Sequence, residues 1–327
     1  MTRPGRSLWL GVAAMAMFGM TLPMTQQATG TAAAPQFTPL FVTCARAVLA
    51  AGLSLLWLWR VQAPWPGPAQ WRLLLVAAAG NALADPLALA WALRTETSQH
   101  AAVITALAPL ATSAVAAMVL RQRVAGGFWA CALAGCALVV AFSLWRAQQA
   151  GQGWQPPPAD AWLALGVLAA SIGYVAVARI TPALGAERVI CWVTLAALQV
   201  TLPGALLDWA AQPPLASVPI QRAHPACPSA PGWAWPASVC SRCGWPCSPG
   251  TARWRGDAVR TSQVQLLQPF FAMLFAWPIH GQPAALSSLG VGLAVVATVW
   301  LGRRFSAATP TPAAPPAGPP SPAASTR

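Results

Sequence analysis

Lysine is absent from this 327-residue chain, acidic residues number six and histidines three, and tyrosine occurs once. With every basic residue an arginine, the missing lysine reads as a GC-rich coding bias and carries no chemistry. Charged residues make up only 8% of the chain, against about 25% in a soluble domain. That scarcity excludes an ordinary soluble globular protein. The six acids and three histidines are scattered, with no His-Glu-x-x-His and no paired aspartates, so a polytopic enzyme lacks a catalytic set. The net charge of +13 would suit nucleic acid if the arginines shared one soluble face, but they fall singly or in pairs between apolar runs.

What fills the chain is hydrophobic sequence: 57% apolar residues and a mean hydropathy of +0.54. Crossing about 30 Å of hydrocarbon takes about 20 helical residues. Nine blocks meet that length, at 8–27, 38–58, 72–93, 100–120, 127–146, 161–181, 188–208, 262–280 and 284–302. The expected fold is therefore all-α and polytopic. The first block, with Arg3 and Arg6 before it and small residues at Ala32 to Ala34, also has features of a signal peptide, but the spanning segments after it favour a membrane helix.

Arginine placement sets the expected orientation. A cytoplasmic N-terminus puts Arg3, Arg6, Arg60, Arg72, Arg121, Arg123, Arg179 and Arg188 inside, and only Arg94 and Arg146 outside. Arg303 and Arg304 follow the last block, so the C-terminus is expected inside as well. Two ends on one side require an even number of crossings, and nine is odd. The missing crossing has room only in 209–261.

The halves resemble each other. "HAAVITALAPLATSAVAAMVLRQRV" (100–124) and "RTSQVQLLQPFFAMLFAWPIHGQPA" (260–284) align on Pro109 and Pro269, with Gln122 and Gln282 at the same offset. Two halves of five helices each would insert with opposite orientation, the inverted-repeat plan of many transporters. The expected organisation is a first repeat at 1–146, a Pro/Gly-rich link at 147–160, a second repeat at 161–304 and a Pro/Ala-rich tail at 305–327 without the side chains to pack.

"FTPLFVTCARAVLAAGLSL", the 100–124 segment with "FWACALAGCALVV", and above all "SQVQLLQPFF" resemble the EamA-type transporters of the drug/metabolite transporter superfamily. The resemblance covers 1–208 and 258–304. It implies ten helices in two inverted repeats, a bacterial inner-membrane location, and export or exchange of small metabolites. Two departures stand out. Gln122 and Gln282 occupy positions where many members carry Glu, and an apolar eighth helix is missing.

In its place stands "GWAWPASVCSRCGWPCSPGTARWRG", Gly232 to Gly256. If each codon's third base is read with the next codon's first two, Cys240 to Arg255 permit "FSMWLALFAWHRALA", and Gly232 to Pro236 yield Leu-Gly-Leu-Ala. Residues 219–255 thus read as a frameshifted eighth helix, which raises an inactive gene product as the alternative function. A rival reading joins Cys240, Cys243 and Cys247 with Cys227 or His224 as a zinc site, or makes a disulfide loop. Cys44, Cys131, Cys136 and Cys191 read as small buried residues of apolar helices.

Ionisable groups at membrane depth usually face a cavity or a partner. Arg46 and Asp85 lie at equal depth on adjacent antiparallel helices, where an ion pair is possible, and Asn81 shares the face of Asp85. Pro109 frees the carbonyl of Thr105 and Pro269 that of Gln265, and Gln265 and Gln268 present amides on one face. Helix packing alone is the plainer account of both features. In the resembling family these two helices line the central pathway. Tyr174, mid-helix, is the remaining pathway candidate. The expected partners are a small-molecule substrate and the lipid bilayer, without nucleic acid, cofactor or metal; no oligomeric state follows.

Overall fold

A computed structural model of the chain describes residues 4–32, 35–121, 126–151, 153–211, 267–280 and 286–307. Those residues are helical, without strands beyond one isolated bridge between Gly30 and Pro35. The elements are α1 (Pro4–Gly19), α2 (Thr21–Thr29), α3 (Pro39–Val61), α4 (Pro68–Ala77), a π-helical segment (Ala78–Ala84), α5 (Asp85–Ala92), α6 (Ser98–Thr105), α7 (Ala108–Val119), α8 (Gly126–Gln149), α9 (Pro158–Leu184), α10 (Ala186–Ala211), α11 (Gln268–His280) and α12 (Leu286–Ala307). With α4 to α5 and α6 to α7 each taken as continuous, six stretches are long and apolar enough to span a bilayer. The segment 219–255, with its cysteines, and residues 308–327 of the tail lie outside the described residues, while 305–307 complete α12.

Helix starts follow local chemistry. Thr38 caps α3 by accepting from the Phe41 N–H at 3.1 Å, with Pro39 in the first turn, and Thr97 caps α6 by accepting from the His100 N–H at 3.3 Å. Three of the apolar blocks are not the single regular helices that their length suggests. The first breaks at Met20, between α1 and α2. The third carries the π segment, in which the Asp85 N–H reaches the Gly80 carbonyl five residues back. Pro86 follows, and its missing N–H removes a normal ladder bond at this point. The fourth breaks at Ala106 and Leu107, just ahead of Pro109.

Backbone packing at small residues fixes the register of neighbouring helices. Thr38 with Asp208, Cys44 with Gly204, and Ser54 with Thr194 place α3 antiparallel along α10. Gly135 with Thr298, and Cys131 with Gly302, do the same for α8 and α12. On α9, Gly166 faces Asp85 and Ala88 while Gly173 faces Asn81, so α9 runs antiparallel to α4–α5. The tightest approach is at Gly80, where an added methyl would stand 2.4 Å from the Ala169 carbonyl oxygen. Two clusters make up the core. One joins α2, α5 to α9, α11 and α12; the other gathers Leu58, Leu74, Ile180, Val189 and Trp192 across α3, α4, α9 and α10.

The Gly80 contact is with backbone, which cannot swing aside. Gly80→Ala should therefore lower stability by about 1–3 kcal/mol. Gly52 has nothing within 4 Å, so Gly52→Ala should be neutral or stabilising by up to ~1 kcal/mol through helix propensity. Thermal aggregation of the two detergent-solubilised variants checks this; equal midpoints would refute the close contact.

Candidate functional site

The candidate site grows out of the break between α6 and α7. Pro109 cannot donate, and Leu110 and Ala111 both donate to Leu107, at 2.9 Å each. Among the described residues, no backbone N–H donates to the carbonyls of Thr105 or Ala106. The Thr105 hydroxyl turns back on its own helix and donates to the Ala101 carbonyl at 2.9 Å and the Ala102 carbonyl at 3.2 Å. The Thr105 and Ala106 carbonyls are thus left without a helical partner.

That turn lines a small cavity together with the start of α11. Its walls are Thr105, Ala106, Ala108, Pro109, Gln268, Pro269 and Val296. Four of the candidates read from sequence therefore meet here: Thr105, Pro109, Gln268 and Pro269. Close packing holds the wall in place. A methyl on Gly19 of α1 would sit 2.7 Å from the Phe271 Cβ and 3.2 Å from the Gln268 carbonyl oxygen, and one on Gly135 would sit 3.1 Å from Leu107. Gln265 lies outside the described residues.

The other candidates lie off this cavity. Asn81 and Asp85 sit on the seam between the third block and α9, against Gly173 and Gly166. Tyr174 follows Gly173 in the chain and is 39% exposed. Arg46 is 7% exposed on the buried face of α3, and α3 packs against α5, which begins at Asp85. Adjacency of the Arg46 and Asp85 helices thus agrees with the sequence. His280 ends α11.

Two polar clusters are absent from the sequence reading. At the start of α3, the Thr38 hydroxyl donates to the Asp208 carboxylate, closing the α3–α10 pair at one end. Where α6, α8 and α9 meet, the His100 Nε2 lies 2.7 Å from Asp160 Oδ1, and the Ser143 hydroxyl donates to the other carboxylate oxygen. Beside them Arg146 lies 3.6 Å from Glu96 and donates to the Thr97 hydroxyl at 3.5 Å. His100 and Asp160 each stand in the first turn of a helix, sixty residues apart. Nothing in their spacing announces the contact.

Among the described residues no group of three or more His, Cys, Asp or Glu side chains could hold a metal ion. Cys240, Cys243 and Cys247 fall outside them. Cys44 and Cys131 are buried as expected and Cys191 is partly buried, whereas Cys136 is exposed on α8 and faces outward from the bundle. Helical geometry accounts for the correction, since only one face of an outer helix packs inward. Cys136→Leu should leave thermal stability unchanged. Cys44→Leu, beside Gly204 where a methyl would sit 3.0 Å from the sulfur, and Cys131→Leu, beside Gly302, should each cost about 1–3 kcal/mol in the same melting assay.

Comparison with known proteins agrees with this architecture. Residues 5–144 match the model of the EamA-like transporter family. A Bacillus subtilis (strain 168) protein, Uncharacterized transporter YdeK, is 30% identical over 307 residues, covering 91% of this chain and 97% of that protein. A solved crystal structure, described only as that of a protein, is similar in fold with a TM-score of 0.51 at 16% identity, over 93% of this chain and 99% of that one. A membrane-spanning all-helical bundle, a family match across the first half and a relative alike over nearly its whole length together make the chain a member of the EamA-like transporter family.

Proposed function

We propose that the protein is a secondary transporter that exports or exchanges small metabolites by alternating access, with the α6/α7 break and the start of α11 as its substrate pathway. One observation carries the reading: Thr105 and Ala106, whose carbonyls have no backbone donor among the described residues, line the same cavity as Gln268. At membrane depth such groups persist where a cavity, its water or a ligand meets them. A ligand with hydrogen-bond donors and an apolar body fits a site of carbonyls, one amide and Pro, Ala and Val walls. Pro269 would repeat the device by freeing Gln265, as the alignment of the two halves suggests.

The ten-crossing inverted-repeat plan belongs to the same proposal. Pairing of α3 with α10 and of α8 with α12 is what a two-fold exchange of halves would give, since each pair would map onto itself. Arginine bias supports cytoplasmic termini and insertion in a bacterial inner membrane. Arg46, Asn81, Asp85 and Tyr174 then serve as a secondary polar lining. Similarity extending over 91% of the chain favours a working transporter over an inactive product.

Toxic amino-acid analogues and amphiphilic metabolites offered to cells expressing the protein test this. Resistance to at least one class is expected, with a loss of about tenfold or more in Pro109→Ala and Gln268→Ala at matched membrane levels, the scale of one lost polar contact. Unchanged resistance in both variants would remove the cavity from the pathway. The reading of residues 219–255 as a frameshifted eighth helix has its own test. The nucleotide sequence of codons 215–258 should encode an apolar run in the displaced frame; if it encodes none, the segment is a genuine loop.

A further inference from the structure

α6 ends on the turn that lines the cavity, so the negative end of its backbone dipole lies there. The carbonyls of Thr105 and Ala106 have no backbone donor among the described residues. The Thr105 hydroxyl spends its proton on the Ala101 and Ala102 carbonyls, which leaves its oxygen only acceptor capacity for anything else. Gln268, from α11, lines the same cavity and carries an amide oxygen. Donors are scarcer. Of the first four residues of α7, Pro109 has no N–H, and those of Leu110 and Ala111 are taken by the Leu107 carbonyl, which leaves that of Ala108. None of the described lining residues is ionisable. We propose that the Thr105–Ala106 turn and Gln268 form a binding site for a small monovalent cation of sodium's size.

Volume and charge both select such an ion. The cavity measures about 20 Å³, against about 10–15 Å³ for one water molecule and about 300–1,000 Å³ for a drug-sized ligand. A bare ion fits this space as it stands; a metabolite enters only when α6, α7 and α11 part, as alternating access requires. Hard cations take oxygen ligands, and interrupted membrane helices offer them as backbone carbonyls at half-helix C-terminal ends. Divalent ions draw on carboxylates, and this wall contributes none. Neutral oxygens repel an anion, so a single positive charge is the occupant that suits them. Pro109 has a defined part here, because the N–H it lacks is the one that would close the Thr105 carbonyl. Coordination from both α6 and α11 ties the two walls together. The ion therefore stabilises the closed cavity, and its release accompanies opening.

The assignment rests on the cavity as the transport site, and ion binding measured without transport separates the two. Thermal unfolding of the full-length protein in detergent is followed while sodium chloride replaces choline chloride at constant ionic strength. The midpoint should rise saturably, by about 2–5 °C at about ten times the dissociation constant, and radioactive sodium should bind saturably in equilibrium dialysis. Gln268→Leu removes one oxygen, and Pro109→Ala restores an N–H that can close on the Thr105 carbonyl; each should weaken sodium binding about tenfold or more. A wild-type protein indifferent to sodium in both measurements, or full sodium affinity in both variants, would overturn the site. A shift given by methylammonium and not by sodium would overturn it too, since the occupant would then be a substrate's head group and not a free ion. Should one variant fail to fold, the other and the wild-type titration decide. Sodium binding together with full resistance in Pro109→Ala removes the transport reading alone, whereas lost resistance without sodium binding removes only the ion.

Discussion

Hydrocarbon offers no hydrogen bonds, so each backbone group and polar side chain of this bundle must be satisfied from within. That constraint explains where the helices are regular and where they are not. On the long runs α8 and α10, hydroxyls donate across to a neighbour or back to their own helix, as Ser143 does to Asp160 and Thr194 to both Ser54 and Cys191. Among the described residues, three of the apolar blocks are interrupted. All three face protein or a cavity: the α1/α2 break beside α11, the π segment against α9, and the α6/α7 break at the cavity.

Packing supplies the stiffness that such breaks remove. Lipid is as apolar as leucine, so helix association in a membrane depends on close contact at small residues. Gly80 against the Ala169 backbone, Gly173 against the Asn81 side chain and Gly204 against the Cys44 sulfur leave no room for a methyl group. These seams lie between long helices. By contrast α6 is short, ends at an interrupted turn, and is anchored at its other end by a cap at Thr97 and by the His100–Asp160 contact.

Much of this architecture was legible in the chain. Length and hydropathy anticipated the six long apolar stretches, because the cost of burying charge in lipid suppresses competing patterns. Pro109 and Pro269 identified the cavity wall, since a missing donor is written directly in the residue type. The π segment was harder to see: Pro86 announced a disturbance, but whether a helix answers with a kink, a break or a five-residue bond depends on α9 pressing against it. Cys136 faced the wrong way for the same kind of reason, because an apolar helix without a strong polar stripe does not declare its inner face. The His100–Asp160 contact was invisible, since only the fold joins two first-turn residues sixty positions apart.

The two kinds of polar group in the bundle have different consequences for motion. A hydroxyl bonded to its own helix, such as Thr105 to Ala101 or Ser113 to Pro109, travels with that helix and resists nothing when the helix moves as a body. A bond between helices must break or stretch. Between α6 and its neighbours, the contact of His100 with Asp160 at 2.7 Å and that of the Ser98 N–H with Gln26 at 3.1 Å are of this second kind. Rigid displacement of α6 would therefore leave its helical ladder intact and would have to break or stretch these contacts between helices.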